Sequence, residues 1–246
     1  MKTKKFEKRF YRDWVCSKRM FKQEIAVGET DLQVLSDRPL EKDFIVRRAR
    51  FYRDQIQEYI NYRDRRFLTA LKPLAVELNA PAIVKEMAKQ SKKANVGPMA
   101  AVAGAIARYL GKDLLRKGCK DVIIENGGDI FIKVSKPVKV GLYAGVSGLS
   151  GKLSLSIRPQ DTPLGICASS GTVGHSLSFG RADSVIIIAK NCALADAAAT
   201  ATANRVNSKS DLHKAIGFAR SIKGIKGIVA IIGNNLGGWG RVEFVK

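Results

Sequence analysis

The run SVIIIA at residues 184–189 is apolar and β-branched, with no alternation of polar and apolar positions. A strand of that kind has to be covered on both faces, so it demands a sheet sandwiched between two other layers. Within residues 165–204 it is preceded by a Ser/Gly-rich loop and followed by the Ala-rich run CALADAAATATAN, which has the composition of a helix packed closely against a neighbour. Polar groups are therefore expected to converge where loop and helix meet.

The loop SSGTVGHS sets Ser169, Ser170, Thr172 and Ser176 around His175, with Gly171 and Gly174 between them. Backbone N–H groups in such a loop can turn toward one point and hold an anion; a polar hairpin turn is the simpler alternative. In the helix, Asp196 and Thr200 are four residues apart and share one face. Two hard oxygens so placed suit Mg²⁺, with a phosphate completing the shell. The structural alternative is an Asp favoured by the helix dipole and a Thr bonded back to a carbonyl.

Charge narrows the partners. The chain of 246 residues carries a formal net charge of +21, with the excess spread over both the first 70 residues and the remainder. A basic tail on a neutral domain is excluded, and negatively charged partners are implied: a phosphorylated small molecule, a nucleotide, nucleic acid or an acidic protein. The length gives one large domain or two closely packed lobes. Four cysteines without a CxxC pair and only two histidines argue against zinc and against a disulfide framework. Reduced cysteines and an N-terminus leading into no apolar run point to a cytoplasmic protein with no membrane span.

Along the chain, residues 1–40 read as short strands with a turn at Gly28. Residues 41–62 read as an amphipathic helix with Arg47, Arg48, Arg50 and Arg53 on its basic outer face. Pro81 opens a helix reaching Lys92 or Lys93, and Pro98 starts another rich in Ala and Gly. VIIENGGDIFIKV is a strand, a turn at Asn126, Gly127 and Gly128, and a second strand from Asp129. Strands follow at residues 138–144 and 153–157, Asp211 caps a helix reaching Ser221, and residues 228–232 and 242–245 form two closing strands around GNNLGGWG. Regular βαβ alternation is missing, so the class is α+β, with a mixed or antiparallel sheet packed with helices. The chain contains no Rossmann or P-loop phosphate motif.

Three segments, ANVGPMAAVAGAIA, ENGGDIFI and ASSGTVGHSLSFGRADSV with its continuation ALADAAATATAN, resemble the ApbE superfamily of FAD:protein FMN transferases. The likeness is strongest to a short, uncharacterised cytoplasmic branch of that superfamily. It implies an ApbE-like fold and a flavin-nucleotide site lined by Asn126, Gly127, Gly128, Asp129, Ser169, Ser170, Gly171 and Thr172. It further implies a Mg²⁺ held by Asp196 and Thr200, with His175 placed to move a proton. Two motif features depart from the transferases. Gly97 and Ala103 stand where they carry Asp and Lys, and Ser176, Leu177, Ser178 and Phe179 replace the His-x-x-Asp-Pro continuation. These departures argue against FMN transfer and for another nucleotide or phosphorylated metabolite as ligand. The resemblance also admits a role in sulfide assimilation toward homocysteine. A rival reading is a non-catalytic basic module for nucleic acid or an acidic protein.

Overall fold

The computed structural model describes residues 15–16, 20–145, 147–171 and 179–245. In chain order, β1 (Val15–Cys16), β2 (Phe21–Val27) and β3 (Thr30–Ser36) lead into α1 (Lys42–Tyr62), α2 (Arg66–Thr69), α3 (Ala82–Ala94) and α4 (Val102–Arg116). Next come β4 (Val122–Asn126), β5 (Asp129–Lys133), β6 (Val138–Gly141), β7 (Ser154–Ile157), β8 (Leu164–Ser169) and β9 (Ser184–Ala189). The chain closes with α5 (Cys192–Ala203), α6 (Leu212–Ser221), β10 (Ile225–Ile232), β11 (Asn235–Gly240) and β12 (Phe244–Val245).

The eight-stranded sheet has the order β11-β10-β9-β8-β5-β4-β3-β2, and the four-stranded sheet the order β1-β6-β7-β12. Among the described residues every strand pairing is antiparallel, which resolves the expected mixed or antiparallel sheet. The fold is α+β.

Side chains alternate between two cores. In β9, Val185, Ile187 and Ala189 join the core beneath the helices, whereas Ile186 and Ile188 join Val140, Leu155 and Ile157 of the small sheet. This is why SVIIIA shows no alternation: both faces of its sheet are covered. Each large aliphatic side chain so removed from water contributes about 1.5–3 kcal/mol.

The Ala-rich composition of α5 has the same cause. Every residue of α5 except Thr200 is buried, because the helix is wedged between the large sheet and α3 and α4. Contact is close enough that a Cβ on Gly165 would lie 2.3 Å from Cys192 Cα, and one on Gly104 would lie 2.5 Å from Cys192 O. Only glycine fits at those two crossings.

Several local expectations are revised. β8 runs through residues assigned to the start of the loop, pairing with β5 and β9. The C-terminal GNNLGGWG is not a loop between two strands: it supplies the turn and then β11, which pairs with β10, while β12 crosses to β7 in the small sheet. Glycine-rich β11 escapes a reading based on β-branched residues because only backbone pairing makes it a strand. Pro98–Ala101 forms a 3₁₀ turn before α4. Asp211 acts within a capping box with Ser208, accepting from the Ser208 amide at 2.9 Å.

Candidate functional site

The β4–β5 hairpin closes through a two-residue turn in which Gly127 and Gly128 have φ of 67° and 101°, with Asn126 paired to Asp129. Two consecutive positive φ values are what an Asn-Gly-Gly sequence supplies cheaply. The turn is held from three sides. Asn126 Nδ2 donates to Ala103 O at 3.1 Å, the Gly128 amide donates to Glu125 Oε1 at 2.7 Å, and the Ala168 amide donates to Gly128 O at 3.3 Å.

Asp129 follows the turn and lies opposite Cys167 in the ladder, so both side chains point to the helical face. Facing them is α5. Its first turn is capped by Asn191, whose side chain accepts from the Leu194 amide at 3.3 Å and donates to Glu86 at 2.6 Å. Arg108 in turn pairs with Glu86 at 3.2 Å, which fixes α3 and α4 to the helix start. One turn on, Asp196 Oδ2 accepts the Gly104 amide at 2.8 Å. Asp196 and Asn126 therefore grip adjacent residues of α4, Gly104 and Ala103, and the hairpin turn and α5 meet there.

The electrostatics of this junction are unusual. Asp129 is 6% exposed and its Oδ1 has no hydrogen-bond partner among the described residues. Burial raises its pKa well above the usual carboxylate range, the neighbouring Asp196 and Cys192 raise it further, and a hydrogen bond with Cys167 opposes them. Asp196 is pushed up to about 7, by burial, against the opposing pull of the Gly104 and Ala103 amides. Two carboxyls buried side by side do not both ionise freely, so this junction retains protons near neutrality.

Sulfur lines the same junction. Cys167 Sγ and Cys192 Sγ are 3.5 Å apart, and both thiols are fully buried. Cys167 donates to Cys192 O at 3.3 Å and Cys192 to Ile130 O at 3.4 Å. Burial first, then the Cys192 contact and the two acids, push the Cys167 thiol up. It is held as a protonated thiol rather than a nucleophile.

On the loop, Ser169 ends β8 and is buried. Ser170 Oγ donates to Ala182 O at 3.4 Å, and the Gly171 amide donates to the same oxygen at 2.9 Å. The amides of Gly128 and Gly171 are thus engaged within the protein. Thr172 and His175 lie outside the described residues. Thr200 is half-buried, one turn beyond Asp196 on α5. Among the described residues no group of three or more His, Cys, Asp or Glu side chains is arranged to hold a metal ion.

Sequence reading missed three parts of this junction. Glu125 could have been noticed as the acid immediately before the turn. The capping role of Asn191 was available from its place before an Ala-rich helix. The Ala103 and Gly104 amides carried no side-chain signal at all.

The layered α+β architecture with this hairpin against this helix defines an ApbE-type fold. The structure is similar to the flavin transferase ApbE from Vibrio cholerae, with a TM-score of 0.61 at 12% identity over 89% of this chain and 96% of that one. It is likewise similar to the ApbE protein of Thermotoga maritima, with a TM-score of 0.62 at 12% identity over 91% and 97% of the two chains. Residues 12–223 match the family described as "AbpE bacteria", and the chain belongs to that family. A UPF0280 protein of Methanococcus aeolicus is 41% identical, covering 91% of each chain. Another, from Methanothermobacter thermautotrophicus, is 43% identical over 77% of this chain and 75% of its own. Among the described residues no helix is long and apolar enough to cross a membrane.

Proposed function

We propose that this ApbE-like protein binds a phosphorylated small molecule, a nucleotide or flavin nucleotide, at the junction of the Asn126–Asp129 turn with α5. One observation carries the reading: the buried Oδ1 of Asp129, without a partner among the described residues and beside Asp196. An orphaned buried carboxylate oxygen costs stability and favours whatever cation or donor satisfies it.

The donor set is hard oxygen, which fits Mg²⁺ that takes much of its shell from phosphate. Asp196, Thr200 and Asp129 would hold the ion. When bound, it would shield phosphate charge from the carboxyls. The chain's own residues orient the ligand: Asn126 and Glu125 fix the turn, and Gly104 fixes Asp196. His175 enters from its place in the SSGTVGH motif, as a group to move a proton in phosphoryl or nucleotidyl transfer. Gly97 and Ala103, standing where the transferases carry Asp and Lys, weigh against FMN transfer to a protein acceptor.

Thermal-shift titration with FAD, FMN, ATP and simple phosphorylated metabolites, with and without Mg²⁺, tests this. A ligand at a hundred times its Kd stabilises by about 2.7 kcal/mol. The stabilisation is expected to require Mg²⁺ and to vanish in Asp196→Asn. If none of these compounds shifts the melt while single-stranded polynucleotide binds with steep salt dependence, the charge of +21 takes over and the protein is a basic binding module.

A further inference from the structure

On the opposite face of the large sheet, where it meets the small one, a small cleft of about 50 Å³ combines an apolar floor with a cationic rim. Ile157, Leu164 and Ile188 form the floor and belong to the core between the two sheets, not to the helical core that holds Asp129 and Asp196. Lys190, Lys226 and Arg241 form the rim, against one acid, Asp161.

That acid is already shared. Asp161 Oδ1 accepts from Arg241 at 2.8 Å, its Oδ2 from Arg158 at 3.0 Å, and its backbone carbonyl from Lys190 Nζ at 2.8 Å. Lys226 is exposed and its ammonium has no hydrogen-bond or ion-pair partner among the described residues. The backbone goes out of its way to set it there. Lys226 is the extra residue of a bulge in the β10–β9 ladder, between Ile225 and Gly227, and a bulge re-aims the side chain it carries. The Arg241 amide donates to Lys226 O at 2.9 Å across Gly240, where φ is 87° and a Cβ would lie 2.2 Å from that oxygen. A bulge and a left-handed glycine thus set a lysine and an arginine on neighbouring backbone at the mouth of the cleft, above a floor of largely buried hydrocarbon. With Asp161 shared among Arg241, Arg158 and Lys190, the rim carries more positive than negative charge, which favours an anion there.

We infer that this cleft is a second ligand site, for a small amphiphilic organic anion: one phosphate or carboxylate on the Lys226–Arg241 rim and a short apolar body on the Ile157, Leu164 and Ile188 floor. Hydrocarbon and charge both contribute, so neither half alone suffices.

Isothermal titration of the full chain with octyl phosphate, below its micellar concentration, tests the site against inorganic phosphate and octanol. Octyl phosphate is expected to bind at least tenfold tighter than either, and more weakly as salt rises. Lys226→Glu is expected to weaken it at least tenfold, with the melting curve by circular dichroism unchanged. Arg241→Gln should weaken it less than charge reversal does. Asp196→Asn should leave octyl phosphate binding intact, which separates this cleft from the junction with α5. Octanol binding as tightly as octyl phosphate, Lys226→Glu retaining full affinity, or loss of binding in Asp196→Asn would each overturn the inference.

Discussion

The amide of Gly104 and the carboxylate of Asp196, 92 residues apart in sequence, meet at 2.8 Å in the buried contact between α4 and α5. The bond exists because residue 104 lacks a side chain. A Cβ there would stand 2.9 Å from Asp196 Cβ and 2.5 Å from Cys192 O. The same missing atom lets the carboxyl reach the first turn of α4, where the helix dipole favours negative charge.

Gly104→Ala is therefore expected to destabilise the protein by about 1–3 kcal/mol, through overpacking against backbone that cannot yield. Denaturant melts would register it. A neutral result would mean that α4 and α5 can separate, which would also loosen the proposed site.

Stability should fall as pH rises from about 4 to about 7. Asp196 has a folded pKa of about 7, so in that window the folded protein holds a proton that the unfolded chain, near 3.9, has released. One such proton costs about 1.4 kcal/mol of stability per pH unit. Asp129, raised in the same direction, adds to the slope. Asn at position 196 can still accept the Gly104 amide but cannot ionise, so Asp196→Asn should flatten the profile and be more stable than the parent at pH 8. An unchanged slope in that variant would place the titrating group elsewhere.

Much of this architecture is legible in the residues themselves. SVIIIA announces a strand buried on both faces, Asn126-Gly127-Gly128 announces a hairpin, and the Ala content of residues 193–203 announces a helix in close contact. What stays hidden depends on contacts between distant residues. Arg48 and Arg53 read as part of a solvated basic face, yet Arg48 reaches Asp113 at 2.6 Å and Arg53 reaches Thr30 at 2.8 Å. Arg53 also pairs with Glu29. No periodicity encodes such partners, because long side chains choose them only after α1 is docked. Likewise Cys167 and Cys192 are 25 residues apart, and only the packing of α5 on β8 shows that they touch.

Those thiols should be silent in the native state. Cys119, Cys167 and Cys192 are all free and buried, and burial pushes the Cys119 and Cys167 thiols up. Thiolate is the reactive form, so an aromatic disulfide reagent should modify these three only after denaturation. Prompt native-state labelling of Cys167 or Cys192, mapped by peptide mass, would show that the junction opens.

Asp113 on α4 gives the opposite pH signature. Its carboxylate accepts from Arg48 and from the Tyr52 hydroxyl, each at 2.6 Å, and pairs with Arg116. Burial alone would raise its pKa, but the hydrogen bonds from Tyr52, Arg116 and Arg48 outweigh burial and hold it below the usual carboxylate range. Its contribution is therefore complete above the unfolded pKa near 4 and is lost as pH falls through the lower folded value. Asp113→Asn should cost about 2–3 kcal/mol at pH 7, roughly 5–10 °C in Tm, since it weakens charge-assisted bonds and leaves Arg48 half-buried without its counter-ion. The same aspartate, with burial as the larger cause, pushes Tyr52 up to about 12. Burial also raises Tyr59 and Tyr109, so ultraviolet titration should show several tyrosines ionising late in the parent, with the Tyr52 step moving earlier in Asp113→Asn. A Tyr52 unmoved by the substitution would mean that burial alone sets its pKa and that the carboxylate does not tie α1 to α4.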